Sequence, residues 1–344
     1  MRFLYLFSVF LFFATPNTDA QIIKRFKRAR HKADSLYLAH KDKIETVDSF
    51  LTVKYHRINY DTAYLVRPKT KWTLKGRANV TGARFRIRST QNDMPIKANM
   101  TADHKATASL SISYMGITVG GALNPAALAG KYKDFEINVN SYSNRYGFDI
   151  ITQNAKRFDG WIKMGDQPKV KPEDGTIKAR SFNINGYYVF NYRKFSYPAA
   201  FTQSYIQKRS AGSLLVGTSL EWQSLKRSAE DILQSYKLNT FNFALGAGYG
   251  YNYVPNRRWL FHASALPAFV IAGTQKLNVN GDNEKTNSGI PQFILTARGA
   301  AVYNIRNYFL GANFVFNYSK VGKPEHVQVN HNKWLFRTFA GLRF

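Results

Sequence analysis

The stretch Phe241–Tyr253 reads FNFALGAGYGYNY. Its odd positions, Phe241, Phe243, Leu245, Ala247, Tyr249, Tyr251 and Tyr253, are apolar or aromatic. Its even positions, Asn242, Ala244, Gly246, Gly248, Gly250 and Asn252, are small or polar. A period of two is the signature of a β-strand with two unlike faces. Its length also matches the roughly 9–11 residues that a tilted strand needs to cross a bilayer. The apolar face ends in tyrosines, as an interfacial belt does, and the other face suits a polar lumen. The stretch therefore predicts a transmembrane β-strand.

The same alternation recurs outward from it. Leu214, Val216, Thr218, Leu220 and Trp222 oppose Ser213, Gly217, Ser219 and Glu221, and Phe293, Leu295, Ala297, Ala301 and Tyr303 oppose Gln292, Thr296, Arg298 and Asn304. Further strands are predicted at 72–88, 106–120, 134–141, 145–154, 178–192, 258–273, 307–318 and 334–344. Two slip register: 72–88, where a bulge around Thr81-Gly82 restores the apolar pattern, and 106–120, which breaks at Gly116. Single-chain bacterial barrels carry even numbers of strands, so the eleven segments imply about twelve, with the missing one sought in 46–71 or 156–177. Pro255-Asn256-Arg257 and Ile305-Arg306-Asn307 read as tight periplasmic turns, and 223–238, 274–289 and 319–331 as longer extracellular loops. A soluble sandwich would hide a continuously apolar face. Here the second face is Gly, Asn, Ser, Arg and Lys. The fold class expected is all-β, an antiparallel transmembrane barrel over 66–344.

Two other segments frame it. Residues 1–20 read as a signal peptide: Arg2, an apolar run from Phe3 to Ala14, then Thr18-Asp19-Ala20 before Gln21. Residues 21–65 read as a basic periplasmic segment, helix-like in spacing at Ile22, Phe26, Leu36, Leu38 and Ile44. The absence of cysteine excludes disulfides, thiolate metal sites and a lipoprotein anchor. Aromatic content of 15% fits membrane girdles, and a mean hydropathy of −0.35 fits strands of which only alternate residues meet lipid. The net charge of +28 suggests anionic partners. In an exported chain without a nucleic-acid module, these are phosphorylated lipid head groups or anions in a basic lumen. The location expected is the outer membrane.

The final strand places Trp334, Phe336, Leu342 and Phe344 on one face. An aromatic end on an alternating strand resembles the signal read by the barrel-assembly machinery, which would capture the strand by edge addition. Two stretches, Tyr60–Lys75 (YDTAYLVRPKTKWTLK) and Asn185–Leu215 (NGYYVFNYRKFSYPAAFTQSYIQKRSAGSLL), resemble the family catalogued as domain of unknown function 4421, exported proteins typical of Bacteroidetes. The resemblance covers roughly residue 46 onward. It implies an outer-membrane barrel and carries no activity, substrate or catalytic residue.

Chemistry is sparse. His31, His40, His56, His104, His262, His326 and His331 show no metal-ligand spacing, and no metal or other cofactor is expected. Ser141-Tyr142-Ser143-Asn144-Arg145 is the nearest thing to a phospholipase-like motif, but no His precedes it at short spacing. His262 reads as a barrel residue rather than a base. Gly246-Ala247-Gly248-Tyr249-Gly250 lacks the Lys-Ser/Thr of a phosphate loop and reads as close backbone packing or a widened lumen. The one constellation with a function attached is basic. By alternation Lys75, Arg77, Arg84, Arg86, Arg88, Arg298, Lys333, Arg337 and Arg343 face inward, with few acids such as Glu136 and Glu221. Rings of Arg and Lys select anions in pores. The sequence thus predicts a narrow pore or substrate-specific channel of unknown solute, not an enzyme. Two alternatives stand beside it: a non-conducting structural or adhesive barrel, and a lipid-acting barrel enzyme. Lys156, Arg157, Lys163, Lys169, Lys171, Lys178 and Arg180 are candidates for holding lipid phosphates.

Overall fold

A computed structural model describes residues 35, 41–91, 94–115, 117–123, 135–155, 158–171, 176–227, 236–279, 282–286, 292–322 and 327–344. The expected signal peptide and most of the expected helix at 22–44 lie outside these residues. The chain divides into two units, Met1–Ile58 and Asn59–Phe344. The first contains α1 (Lys41–His56), with Asp42 in its first turn where the helix dipole favours an acid. Residues 59–65, assigned from sequence to the basic segment, fall in the second unit.

Sixteen strands of the second unit are described. They are β1 (Leu65–Val66), β2 (Trp72–Gln91), β3 (Met94–Tyr114), β4 (Ile117–Leu123), β5 (Phe135–Tyr142), β6 (Tyr146–Ala155), β7 (Phe158–Met164) and β8 (Ile177–Val189). After a short helix, α2 (Tyr197–Phe201), come β9 (Ile206–Gln207), β10 (Ala211–Arg227), β11 (Tyr236–Tyr253) and β12 (Trp259–Val279). The last are β13 (Asp282–Thr286), β14 (Gln292–Ile305), β15 (Tyr308–Gly322) and β16 (Val327–Arg343). Twelve strands follow one curled antiparallel path, β4-β3-β2-β16-β15-β14-β12-β11-β10-β8-β6-β5. The last strand, β16, pairs with β2, and Trp72 and Phe344 exchange two backbone hydrogen bonds of 3.0 Å. β7 follows β6 directly and pairs with β3, which ties the two ends of the path together. The fold is the antiparallel β-barrel that the alternation predicts.

The region 156–177 does hold a missed strand, β7, but it lies off the twelve-strand path; the twelfth strand on that path comes from elsewhere. Residues 106–120 are not one slipped strand: the chain reverses after Met115, whose φ is +47°, and β4 pairs back on β3 from Tyr114–Ile117 to Ala108–Leu123. The turns at 254–258 and 306–307 are tight as expected, the first held by Asn256 Oδ1, which accepts from the amides of Arg258 and Trp259. The far ends differ from expectation. β2, β3 and β12 run for 20, 21 and 21 residues, so much of what reads as loop is strand. Such strands exceed the roughly 9–11 residues a bilayer requires.

The bulge near Thr81 exists, but its extra residue sits on β3. Thr81 pairs Lys105 and Ala83 pairs Ala102, while β2 keeps an unbroken register against β16 from Thr73 to Ser89. β2 therefore never changes face. This corrects one expectation: Arg84, Arg86 and Arg88 are exposed on the outer face, and Phe85 and Ile87 turn inward with exposures of 8% and 6%. Glu136 belongs to a stretch whose side chains are not described.

The inward face at this end of the barrel is apolar. Phe85, Ile87, Met100, Phe158, Leu225, Leu238 and Val329 form one cluster drawn from strands around the wall. Phe85 and Val329 line the same cavity as Ala155, Ala179, Leu225 and Leu238. The cavity holds about 30 Å³, room for a water or two. The two walls thus meet across the lumen. Face assignment predicts unequal costs for neighbouring substitutions. Phe85→Ala should lower stability by about 3–5 kcal/mol through a new cavity, and Arg86→Ala by less than about 0.5 kcal/mol. Denaturant unfolding in detergent micelles measures both, and equal costs would reverse the assignment.

Candidate functional site: a plugged lumen

The connection from β8 to β10, residues 190–210, folds into the barrel. Its sequence explains the local shape. Ser196 caps α2 by accepting from the amide of Ala199 at 3.2 Å, and Pro198 sits in the first turn, where its missing N–H costs nothing. β8 stops at Val189, the chain turns over 190–194, and a compact turn of helix follows. Phe195, Ser196 and Ala200 are each 0% exposed. Around them close the inward residues Tyr187, Val189, Leu215, Leu260, Val302, Phe309 and Phe339.

The two stretches that resemble the family meet in this plug. β1 pairs with β9 through Leu65↔Gln207 and Val66↔Ile206. The amide of Asp61 donates to the carbonyl of Arg193 at 2.9 Å, and that of Lys208 to Tyr64 at 2.7 Å. Arg67 Nε donates to the Tyr205 hydroxyl at 2.7 Å. Gln207 is the hub: its Oε1 accepts from the Ser196 amide and from Asn252 Nδ2, and its Nε2 donates to the carbonyls of Lys194 and Arg209.

Of the expected basic residues, six face inward, and five of them make hydrogen bonds or an ion pair as follows. Lys75, 3% exposed, donates from Nζ to the Thr202 carbonyl at 3.0 Å and to Gln203 Oε1 at 2.9 Å. Arg343, 2% exposed, donates to the Gln203 carbonyl and to Asn304 Oδ1, both at 3.1 Å, and lies over the Phe309 ring. Arg77 donates to Ser111 Oγ at 3.2 Å, and Arg337 to Asn79 Oδ1 at 2.7 Å. Arg298 makes an ion pair with Asp149 at 2.6 Å, both side chains under 10% exposed. The rings of Tyr142, Tyr187 and Tyr197 surround its guanidinium at 5.6–5.9 Å. Tyr142 also donates to Asp149. Lys333, too, is buried on the inner face.

Trp334, Phe336, Leu342 and Phe344 share the outer face of β16, with Phe336 and Phe344 43% and 48% exposed. Ser143 and Asn144 fall at the β5–β6 turn. Ser143 Oγ donates to the Tyr146 carbonyl at 2.6 Å, and Asn144 Oδ1 accepts from Ser196 Oγ at 2.6 Å. They serve the turn and the plug. No group of three or more His, Asp or Glu that could hold a metal occurs among the described residues.

Sequence reasoning missed one cluster. Ser264 Oγ lies 2.9 Å from His262 Nε2, and His262 Nδ1 lies 2.7 Å from Asn252 Oδ1. A hydroxyl and an imidazole followed by an orienting side chain resemble the relay of serine hydrolases, with the Asn252 amide in place of the usual carboxylate. Its signal was available in the His262-Ala263-Ser264 spacing, which puts both side chains on one strand face. The plug occupies the relay's other contacts. The Tyr197 hydroxyl donates to Ser264 Oγ at 2.9 Å, Asn252 Nδ2 donates to the Ser196 carbonyl at 3.0 Å, and the rings of Phe195 and Phe201 flank His262. Burial holds the Tyr197 phenol above its ordinary pKa, so it stays protonated as that donor. In this arrangement the relay fastens the plug to the wall.

The buried ion pair makes a further prediction. Asp149→Asn leaves Arg298 buried without a counter-charge and should cost about 3–5 kcal/mol. The double change Asp149→Asn, Arg298→Met should recover most of that loss in denaturant unfolding. A loss that persists in the double variant would remove the ion pair as its cause.

Among solved structures, the chain is similar to the outer membrane protease OmpT from Escherichia coli. The identity is 8%, with 84% of this chain and 100% of that chain covered and a TM-score of 0.42. It is similar to the transport unit of the autotransporter AIDA-I from Escherichia coli at 10% identity, 86% and 97% coverage and a TM-score of 0.35. It is also similar to OprG from Pseudomonas aeruginosa at 11% identity, 80% and 97% coverage and a TM-score of 0.27. No curated protein matches the chain. The model of the family described as domain of unknown function 4421 matches residues 59–344, and the chain belongs to that family.

Proposed function

We propose that the protein is an outer-membrane barrel in a closed, non-conducting state, with a structural or adhesive role at the cell surface. The observation that carries this reading is the double seal. The plug at 190–210 fills the lumen at the end where the turns are short, held by Lys75, Arg343 and Asn252. The Phe85–Leu225–Val329 cluster fills the other end. Anion conduction through a basic lumen would need free cations along an open path. Lys75, Arg77, Arg298, Arg337 and Arg343 instead donate to carbonyls, side-chain amides, a hydroxyl and a carboxylate.

The test is conductance of the folded protein in a planar bilayer. The expected result is silence for the native chain and for Lys75→Ala, because the apolar cluster still seals the second end. Conductance is expected only when a plug variant is combined with Phe85→Ala and Met100→Ala. Steady anion-selective steps from the native chain would overturn the closed reading and restore the pore.

A second reading is favoured by the Ser264–His262–Asn252 relay alone: a hydrolase exposed when the plug withdraws. A fluorophosphonate probe should then label the native chain and spare Ser264→Ala. No labelling of the native chain, with lipid present, would dismiss it.

A further inference from the structure

The outer face carries an ordered boundary. On β10 the outward residues Leu214, Val216, Thr218, Leu220 and Trp222 are followed by Ser224 and Lys226. On β11 they run from Tyr253 through Leu245 to Phe241, then Asn239 and Lys237. On β8 they end at Phe182, then Arg180 and Lys178. Register aligns these ends. Phe182 pairs Trp222 and Trp222 pairs Phe241, with ring centroids 5.6 and 4.9 Å apart. An aromatic row of this kind marks the edge of a hydrocarbon band.

Immediately beyond it the same strands align cations. Lys178 pairs Lys226, and Lys226 pairs Lys237. A second triplet stands elsewhere on the barrel, where Arg88 pairs Lys97 and Lys97 pairs Lys163. Like charges placed directly opposite each other on neighbouring strands repel and destabilise the pairing. Among the described residues no carboxylate forms an ion pair with any of these six. Between the aromatic row and the first triplet lies an open groove of about 630 Å³, lined by Phe182, Trp222, Phe241, Asn239, Arg180 and Lys276.

We propose that this groove and the Lys178–Lys226–Lys237 row bind the phosphorylated head group of an outer-leaflet lipid. The acyl chains would lie along the aromatic row and the phosphates against the lysines. Three observations point there together: an apolar edge, a registered cation row without acids, and a groove that runs from the aromatic row to Arg180, Ser224 and Asn239, the outward positions next to those lysines. The arginines whose inward assignment the structure corrects, Arg84 and Arg86, lie beside the second triplet on the same outer face. The proposal rests on the membrane-spanning reading but is independent of whether the lumen conducts. Silence or conductance in a bilayer leaves it untouched.

The test uses the folded chain in zwitterionic detergent and the triple variant Lys178→Gln, Lys226→Gln, Lys237→Gln. The probes are bisphosphorylated lipid A, phosphatidylcholine and inorganic phosphate. Lipid A is expected to raise the native chain's melting temperature by about 5 °C or more at saturation, and phosphatidylcholine to leave it unchanged. The variant should lose most of that rise. Without lipid it should melt above the native chain, because the repulsion is gone. That inversion separates loss of a binding site from a folding defect. Added salt should weaken the lipid A effect. An equal lipid A shift in both proteins, or an equal shift with phosphatidylcholine, would overturn the proposal. An equal shift with inorganic phosphate would reduce the site to a simple anion site and defeat the lipid assignment.

Discussion

A cation withdrawn from water needs oxygen atoms around it, and in a barrel the backbone oxygens of the wall are already engaged in the ladder. Lys75 and Arg343 meet that constraint on adjacent strands, facing the same inner space. Their partners are the carbonyls of Thr202 and Gln203. These carbonyls are available because they follow a five-residue helix, whose last groups have no partner further along the chain. The chain turns there through Gln203, with φ at +58°. The two cations and the plug thus require one another: the plug covers the charges, and the charges hold the plug's end.

The rest of the inner face is organised around this clamp. Where the plug sits, β11 is nearly bare. A side-chain carbon on Gly250 would come within 3.1 Å of the Phe195 ring, so glycine there makes a seat for the plug. Ser264 and Asn252 bond the plug from the same wall, and His262 bridges the two. Deeper in, Arg298 and Asp149 neutralise each other inside a cage of tyrosines. Beyond them the inward residues become apolar and touch across the lumen. The outer face changes in the opposite sense, from an apolar band to aligned lysines. The two faces of the same long strands exchange character near the aromatic row.

Much of this was legible in the sequence, and the failures have physical causes. The alternation in 241–253 gave both faces correctly because apolar and small residues alternate there without interruption. The same rule failed in 83–88, where hydrophobicity stops meaning lipid. Past the band, apolar residues fill the lumen and arginines meet solvent, so Phe85 and Ile87 were read outward. The β3–β4 hairpin escaped because a turn through Met115 carries no Asn-Gly or Asp-Gly signal. The glycines of β11 were noticed, but nothing local says what packs on them. The plug itself was hidden because Phe190 to Tyr205 is as aromatic as the strands that flank it. Only Ser196-Tyr197-Pro198 marks a helix start, and only three-dimensional pairing reveals that Tyr60–Lys75 and Asn185–Leu215 form one unit.

The central claim is that α2 lies sealed inside the barrel. The chain has no cysteine, so a single introduced thiol reports cleanly. Ala200 is fully buried, and a small change there leaves the clamp intact. The most direct measurement is the rate at which a water-soluble maleimide labels Ala200→Cys in the membrane-inserted protein, relative to Arg257→Cys in the exposed turn. The account predicts labelling of Ala200→Cys only after denaturation. Labelling of both thiols at the same rate in the folded protein would contradict it.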